Sequence, residues 1–156
     1  MNKATEITIL LVLGLTVVGC GSSSVGGLAS NINGSWTATL TDPNGSIAYQ
    51  FSATFTQGTG SELTVTNFTF TSGGSCFGPY SPGEYGESGS FTLVGNSNGK
   101  VTGMFGMVIA TPNINGPALN LQGTLSGSTI SGRWTASAIG GCSANGTFTI
   151  QPAMAA

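Results

Sequence analysis

Over residues 33–151, apolar residues alternate with threonine and serine, and this two-residue period constrains the fold more than any other feature. Successive side chains of a β-strand point to opposite faces, so the alternation predicts strands with one apolar and one hydroxyl-bearing face. In the segment Ile47–Gln57, for example, Tyr49, Phe51 and Phe55 share one face. Because no window of this region has a helical period, the predicted fold class is all-β.

Turn signals divide this region into eight strands. Asp42-Pro43-Asn44-Gly45 is a strong turn sequence, since Asn-Gly readily adopts positive φ, and glycine-containing turns are also predicted at 58–61 and 96–99. The apolar phase slips in the third strand, which predicts a bulge near Asn67. The predicted strands are Gly34–Thr41, Ile47–Gln57, Glu62–Thr71, Ser88–Gly95, Lys100–Ala110, a strand carrying Leu119 to Leu125, Thr129–Ala138 and Cys142–Gln151.

Consecutive strands joined mostly by short loops favour an antiparallel up-and-down meander. Closing the meander into a small barrel would bury every apolar face and remove the exposed sheet edges. Glycines in the apolar phase, at positions 103, 123, 132 and 146, are expected to leave room for bends and for neighbouring rings. An open β-sandwich is the alternative architecture.

The Gly34-Ser35-Trp36 sequence, which opens the eight-stranded pattern, resembles the first strand of the calycin superfamily of lipocalins and avidins. The resemblance implies that Trp36 closes one end of a barrel. Lipocalins add a basic residue late in the barrel that packs over this tryptophan. Arg133 is the only candidate, and its outward phase on the penultimate strand departs from the pattern. The avidin ligand motifs are missing.

The N-terminal segment is predicted to be a leader. An apolar run from Ile7 to Val18 would span about 18 Å as a helix, well short of the ~30 Å hydrocarbon core, so it is typical of a signal peptide. It ends in Val17-Val18-Gly19-Cys20, which resembles the lipobox of bacterial lipoproteins. The resemblance implies cleavage before Cys20, a diacylglycerol on its sulfur and an acyl chain such as palmitate on the new amino terminus.

Lipidation at Cys20 would make a membrane the partner of this protein, since two or three acyl chains hold a soluble domain on a bilayer. Gly21 stands where aspartate would indicate inner-membrane retention, so the expected location is the outer membrane of the bacterial cell envelope. The predicted organisation is a signal peptide (1–19), a lipidated cysteine with a Gly/Ser-rich tether (20–32), a β-domain (33–151) and a short tail (152–156).

Two cysteines remain once Cys20 is lipidated, and in an oxidising envelope Cys76 and Cys142 are predicted to form a disulfide. This bond would connect a long irregular loop, 72–87, to the start of the last strand. The loop also carries Phe77, Tyr80 and Tyr85. Loops often carry binding residues, so these rings are candidate ligand contacts; the alternative is that they pack over one end of the barrel.

Composition excludes several functions. The chain has three Lys and Arg residues and no histidine, so it has no basic surface for nucleic acid, no histidine metal site and no histidine base for a serine or threonine nucleophile. The acids Glu84 and Glu87 lie close together on the loop, without the cleft that a glycosidase pair needs. No catalytic group, metal or cofactor is therefore expected.

The leading functional hypothesis is a non-enzymatic, membrane-anchored envelope lipoprotein whose barrel is a binding or structural module. One alternative is a calycin-like carrier of a small apolar ligand, because an eight-stranded barrel is just wide enough to hold one. The other is a surface that contacts carbohydrate through the rings of the 72–87 loop.

Overall fold

The computed structural model describes residues 32–74, 76–77, 84–97, 100–112, 116–138 and 140–154. These residues form eight antiparallel strands in sequence order, and β1 pairs with β8 to close a barrel. The strands are β1 Gly34–Thr41, β2 Ile47–Gln57, β3 Glu62–Ser72, β4 Gly86–Ser97, β5 Lys100–Ala110, β6 Ala118–Ser126, β7 Thr129–Ser137 and β8 Ser143–Pro152.

The predicted all-β meander and its closure into a barrel are confirmed, and three strands have the predicted bounds. The bulge in β3 is confirmed as well. Ser52 pairs with Thr69 but Thr54 pairs with Thr66, and Asn67 between them has a φ of 51°. The clearest difference lies in β4, which begins at Gly86 and so includes a residue that the sequence assigned to the loop, Glu87.

The barrel has two unlike ends. At the first, which we call the entry end, β1 begins, β8 finishes, and the β2–β3, β4–β5 and β6–β7 hairpins turn. At the other, which we call the disulfide end, lie the β1–β2 turn and the connections β3–β4, β5–β6 and β7–β8. The chain is held at the entry end by Trp36, whose Nε1–H donates to the carbonyl oxygen of the buried Ile32 at 2.8 Å.

Aromatic rings fill much of the interior. Those of Phe55, Phe105 and Phe148 follow one another with centroids 5.7 and 6.1 Å apart, within the range of favourable ring contacts. The inward-facing aromatic residues of the strands that are buried are Trp36, Tyr49, Phe51, Phe55, Phe68, Phe91, Phe105, Trp134 and Phe148. The predicted sorting of apolar residues to the inside is therefore confirmed for the core of the barrel.

The seam between β3 and β4 is the most weakly paired part of the wall. Their register contains only two residue pairs, Glu62 with Ser90 and Leu63 with Gly89, whereas the other neighbouring strands pair over six or more positions. Towards the disulfide end the two strands are not paired with each other. There the wall is closed by packed side chains and not by backbone hydrogen bonds between β3 and β4.

The architecture is consistent with a calycin-like barrel. Trp36 lies at the start of β1 and is buried, as that resemblance implies. Arg133 is exposed on the outer face of β7, where it pairs with Gln122 and Thr147 on the neighbouring strands. Arg133 therefore does not cover Trp36, and the lipocalin arrangement of a basic residue over the tryptophan is not reproduced.

Candidate functional site

The sequence-predicted site residues that the structure describes lie at the disulfide end. Cys76 and Cys142 form a disulfide with their Cα atoms 5.7 Å apart, which confirms the predicted pairing. Cys142 directly precedes β8, and Cys76 lies in the β3–β4 loop. The bond therefore joins the loop over the weakly paired seam to the opposite side of the barrel.

Tyr49 organises the packing beneath the loop. Its hydroxyl oxygen accepts a hydrogen bond from the backbone N–H of Phe77 at 3.1 Å. The ring meets Trp134 edge-on, with centroids 5.2 Å apart, and Gly74 lies so close to the ring that a Cβ there would overlap it. Trp134 in turn donates its Nε1–H to the carbonyl oxygen of Thr41 at 2.9 Å. The loop is thus attached to the barrel by side chains from β2 and β7.

The rings proposed as ligand contacts are buried where they are described. Phe77 is 1% exposed and Tyr85 is 7% exposed. Tyr85 lies 5.3 Å from Phe68 and 5.7 Å from Phe70 between ring centroids, so these rings fill the seam where β3 and β4 separate. This burial supports packing over the barrel end, which was the alternative to ligand binding. The third ring, Tyr80, lies outside the described residues.

An open groove of about 500 Å³ runs beside this cluster on the disulfide end. Its polar wall includes Asp42, but one carboxylate oxygen of Asp42 already accepts the backbone N–H groups of Asn44 and Ser46, each at 2.9 Å. That carboxylate holds the β1–β2 turn. The sequence predicts the turn but not the groove, because the residues that line the groove come from segments far apart in the chain. These residues are Asp42, Pro43, Ile47, Ala48, Tyr49, Gly73, Gly74, Trp134, Ser143, Ala144 and Asn145.

The surroundings of Glu87 alter the titration of its carboxyl group. Glu87 is half-buried in β4 opposite Ile109, and this burial raises the pKa of its carboxyl group from its ordinary value of 4.5. Burial also raises the pKa of the Tyr85 hydroxyl, with a further contribution from the negative charge of Glu87. Glu84, by contrast, is exposed, so the two acids do not face each other across a closed cleft.

The raised pKa of Glu87 predicts a dependence of stability on pH. A carboxyl group whose pKa is higher in the folded than in the unfolded state destabilises the folded protein above that pKa. The penalty disappears as the pH falls through the raised value towards 4.5. We therefore expect Glu87→Gln to raise the melting temperature at pH 7 by less than about 3 °C, because solvent screens a half-buried charge.

Thermal unfolding of the variant and the wild type at pH 7 and pH 4 measures this effect. The advantage of Glu87→Gln should shrink or vanish at pH 4, where the wild-type carboxyl group is protonated. Glu62→Gln, which removes the same charge at an exposed strand position, is the matched control for the loss of one negative charge. An equal gain for Glu87→Gln at both pH values would contradict the prediction.

The described residues contain no group of three or more Cys, Asp or Glu side chains arranged to hold a metal ion. Within the same ranges there is no helical segment with the length and apolar composition of a bilayer span. The predicted lipidation site, Cys20, and the leader before it lie outside the described residues.

Comparison of the chain with models of protein families, with curated proteins and with solved structures finds no match.

Proposed function

We propose that this chain is a lipoprotein of the bacterial envelope, anchored by acyl chains on Cys20, with a non-enzymatic barrel that serves as a structural or surface-binding module. The observation that carries the proposal is the cysteine at the end of the apolar run, in the Val17-Val18-Gly19-Cys20 sequence. The expected location is the outer membrane, because Gly21 follows the cysteine.

The disulfide supports export. Stable disulfides belong to oxidising compartments such as the bacterial periplasm and the cell surface, and Cys76 and Cys142 are bonded in the folded barrel. That bond leaves Cys20 as the one thiol available for lipidation, since the chain has three cysteines. Export to the bacterial envelope would therefore account for all three cysteines, one by lipidation and two by the disulfide.

The filled interior favours a structural or surface-binding role over a carrier. A carrier needs space inside the barrel, but Phe55, Phe105 and Phe148 meet across it, and Phe51 and Phe68 lie 4.9 Å apart between ring centroids. Open grooves lined by described residues lie beside Asp42 at the disulfide end and along the outer face of β4, β5 and β6. A partner would accordingly bind to the outer surface of the barrel.

Mass spectrometry of the full chain, extracted from bacterial membranes with detergent, tests the anchor. We expect a mature protein that begins at Cys20 and carries the added mass of a diacylglycerol and an amide-linked acyl chain. Cys20→Ala should abolish the added mass and prevent cleavage at this site. Ser24→Ala, a change in the tether that leaves the lipobox intact, should be processed like the wild type. An unmodified, freely soluble wild-type protein would refute the proposal.

A further inference from the structure

The β4–β5 hairpin extends beyond its neighbours at the entry end. β3 begins at Glu62, which pairs with Ser90, but β4 continues to Ser97, which pairs with Lys100. On the other side, β6 ends at Ser126, opposite Thr102. We call the part of the hairpin formed by 91–97 and 100–104 the arm. On the β3 side, β4 continues to Ser97 beyond the hydrogen bond that the backbone N–H of Phe91 donates to the carbonyl oxygen of Ser61. On the β6 side, the arm stays attached as far as Val101, whose carbonyl oxygen accepts the backbone N–H of Gly127 at 2.9 Å.

Exposed apolar side chains concentrate at this end. Leu93 is 45% exposed, Val94 is 66% exposed, and Met104 at the base of the arm is 62% exposed. Met154, just after β8, is almost fully exposed at the same end. Single exposed apolar residues are ordinary, but four of the six large exposed apolar side chains among the described residues lie at one end. Such clustering indicates a surface that is covered in use.

The covering surface is indicated by where the chain enters the barrel. Ile32 is fixed to the entry end by its hydrogen bond with Trp36. The eleven residues of the segment 21–31 separate it from Cys20. A segment of that length reaches roughly 40 Å at most, and Gly/Ser-rich linkers of eleven residues have an average span of about 18 Å. A lipid anchor on Cys20 therefore holds the entry end, rather than the disulfide end, next to the bilayer.

The distribution of acidic residues favours the same orientation. Asp42, Glu84 and Glu87 lie at the disulfide end, whereas Glu62, the first residue of β3, is the one described acid at the entry end. The arm itself contains no acidic residue. Because anionic lipid headgroups repel carboxylates, an anionic bilayer would repel the disulfide end more strongly than the entry end.

We propose that the arm enters the lipid surface, with Leu93, Val94 and Met104 among the acyl chains near the headgroups. The barrel would then stand on the membrane with its disulfide end outward, so that the groove beside Asp42 faces away from the bilayer. This inference rests on the proposed lipid anchor at Cys20, and it adds a defined orientation to it.

Fluorescence quenching by brominated lipids tests this orientation. The full chain, purified from membranes in detergent, is reconstituted into vesicles of phosphatidylethanolamine and phosphatidylglycerol whose acyl chains carry bromine near the headgroups. Val94→Trp places a fluorescent reporter on the arm. Ile47→Trp is the matched control, because Ile47 is also exposed, at 58%, but lies at the disulfide end. The native Trp36 and Trp134 are buried and supply a constant background that the wild type measures.

After subtraction of that background, we expect brominated lipid to lower the emission of the Val94→Trp variant about twofold, and to leave that of the Ile47→Trp variant unchanged to within about a tenth. Equal quenching of the two variants, or none, in vesicles that carry the protein would overturn the orientation but leave the anchor intact. A blue-shifted emission of the Val94→Trp variant without quenching would mean that a second copy of the chain covers the arm, and would also overturn it. If the wild-type protein does not float with the vesicles, both the anchor and the orientation fail.

Discussion

Gly132→Ala is expected to lower the free energy of unfolding by about 3 kcal/mol, the upper part of the range for overpacked interiors. A Cβ at this position would overlap the carbonyl oxygen of Gln122 and crowd the Cα of Gly123 on the neighbouring strand. These are backbone atoms of a paired strand, so they cannot rotate aside as a flexible side chain would. The strands would have to separate, and the barrel wall would open locally.

The reason for this close approach is the arrangement of rings inside the barrel. Gly123 and Gly132 are cross-strand partners on β6 and β7, and their outer neighbours in the same row are Phe105 on β5 and Phe148 on β8. The two phenylalanine rings meet with centroids 6.1 Å apart. A Cβ at Gly123 would meet the tip of the Phe148 ring at 2.8 Å. The glycine pair thus provides the space in which the two rings pack.

Urea unfolding followed by far-ultraviolet circular dichroism gives the free energies for this comparison. Gly86→Ala is the matched control, because Gly86 also lies in a strand but a Cβ there meets nothing within 4 Å. We expect Gly86→Ala to change stability by no more than about 0.5 kcal/mol. If the free energies of unfolding of Gly132→Ala and Gly86→Ala agree within this margin, the interior tolerates the extra methyl group and the prediction is wrong.

Removing the disulfide is expected to lower the free energy of unfolding by about 4 kcal/mol in the double variant Cys76→Ser/Cys142→Ser. The two cysteines are 66 residues apart, and a cross-link over that distance restricts the unfolded chain by about this amount in the entropic description. The folded state should lose order locally as well, because the bond holds the loop whose Phe77 donates its N–H to Tyr49.

Equilibrium unfolding in urea, with and without reductant, measures this loss. The reduced wild type should match the double variant, and the reductant should have no effect on the double variant itself. Near-ultraviolet circular dichroism of the folded states would report any change in the environment of Tyr49 and Trp134. A loss below about 1 kcal/mol would show that the unfolded chain is not restricted as the entropic description requires.

Most strand positions could be predicted because period-2 alternation is a local property. Each strand residue faces inward or outward according to its own position, so the pattern in Ile47–Gln57 is visible without knowledge of any partner. The bulge at Asn67 could be predicted for the same reason, since a slip of one residue reverses the phase of everything after it. The disulfide was predictable by elimination, because the lipobox-like sequence assigns Cys20 to lipidation and leaves two cysteines.

The 72–87 loop was less predictable because its residues follow no period. Phe77 and Tyr85 could be either exposed contacts or packing residues, and only the separation of β3 from β4 creates the gap that these rings fill. Likewise, the sequence placed Glu87 in the loop, whereas pairing with Ile109 draws it into β4 and partly buries its carboxyl group.

The all-β class, the number of strands and the buried face of each strand could be derived from the chain alone, because they follow from the spacing of residues close together in it. Which strands pair fully, and where the wall opens, depends on contacts between distant residues and is visible only in the folded barrel. Closure of β1 on β8 brings Trp36 opposite Pro152, and such distant contacts set the register of the whole barrel. The extension of β4 beyond the start of β3 is a consequence of that register, and no local pattern contains it.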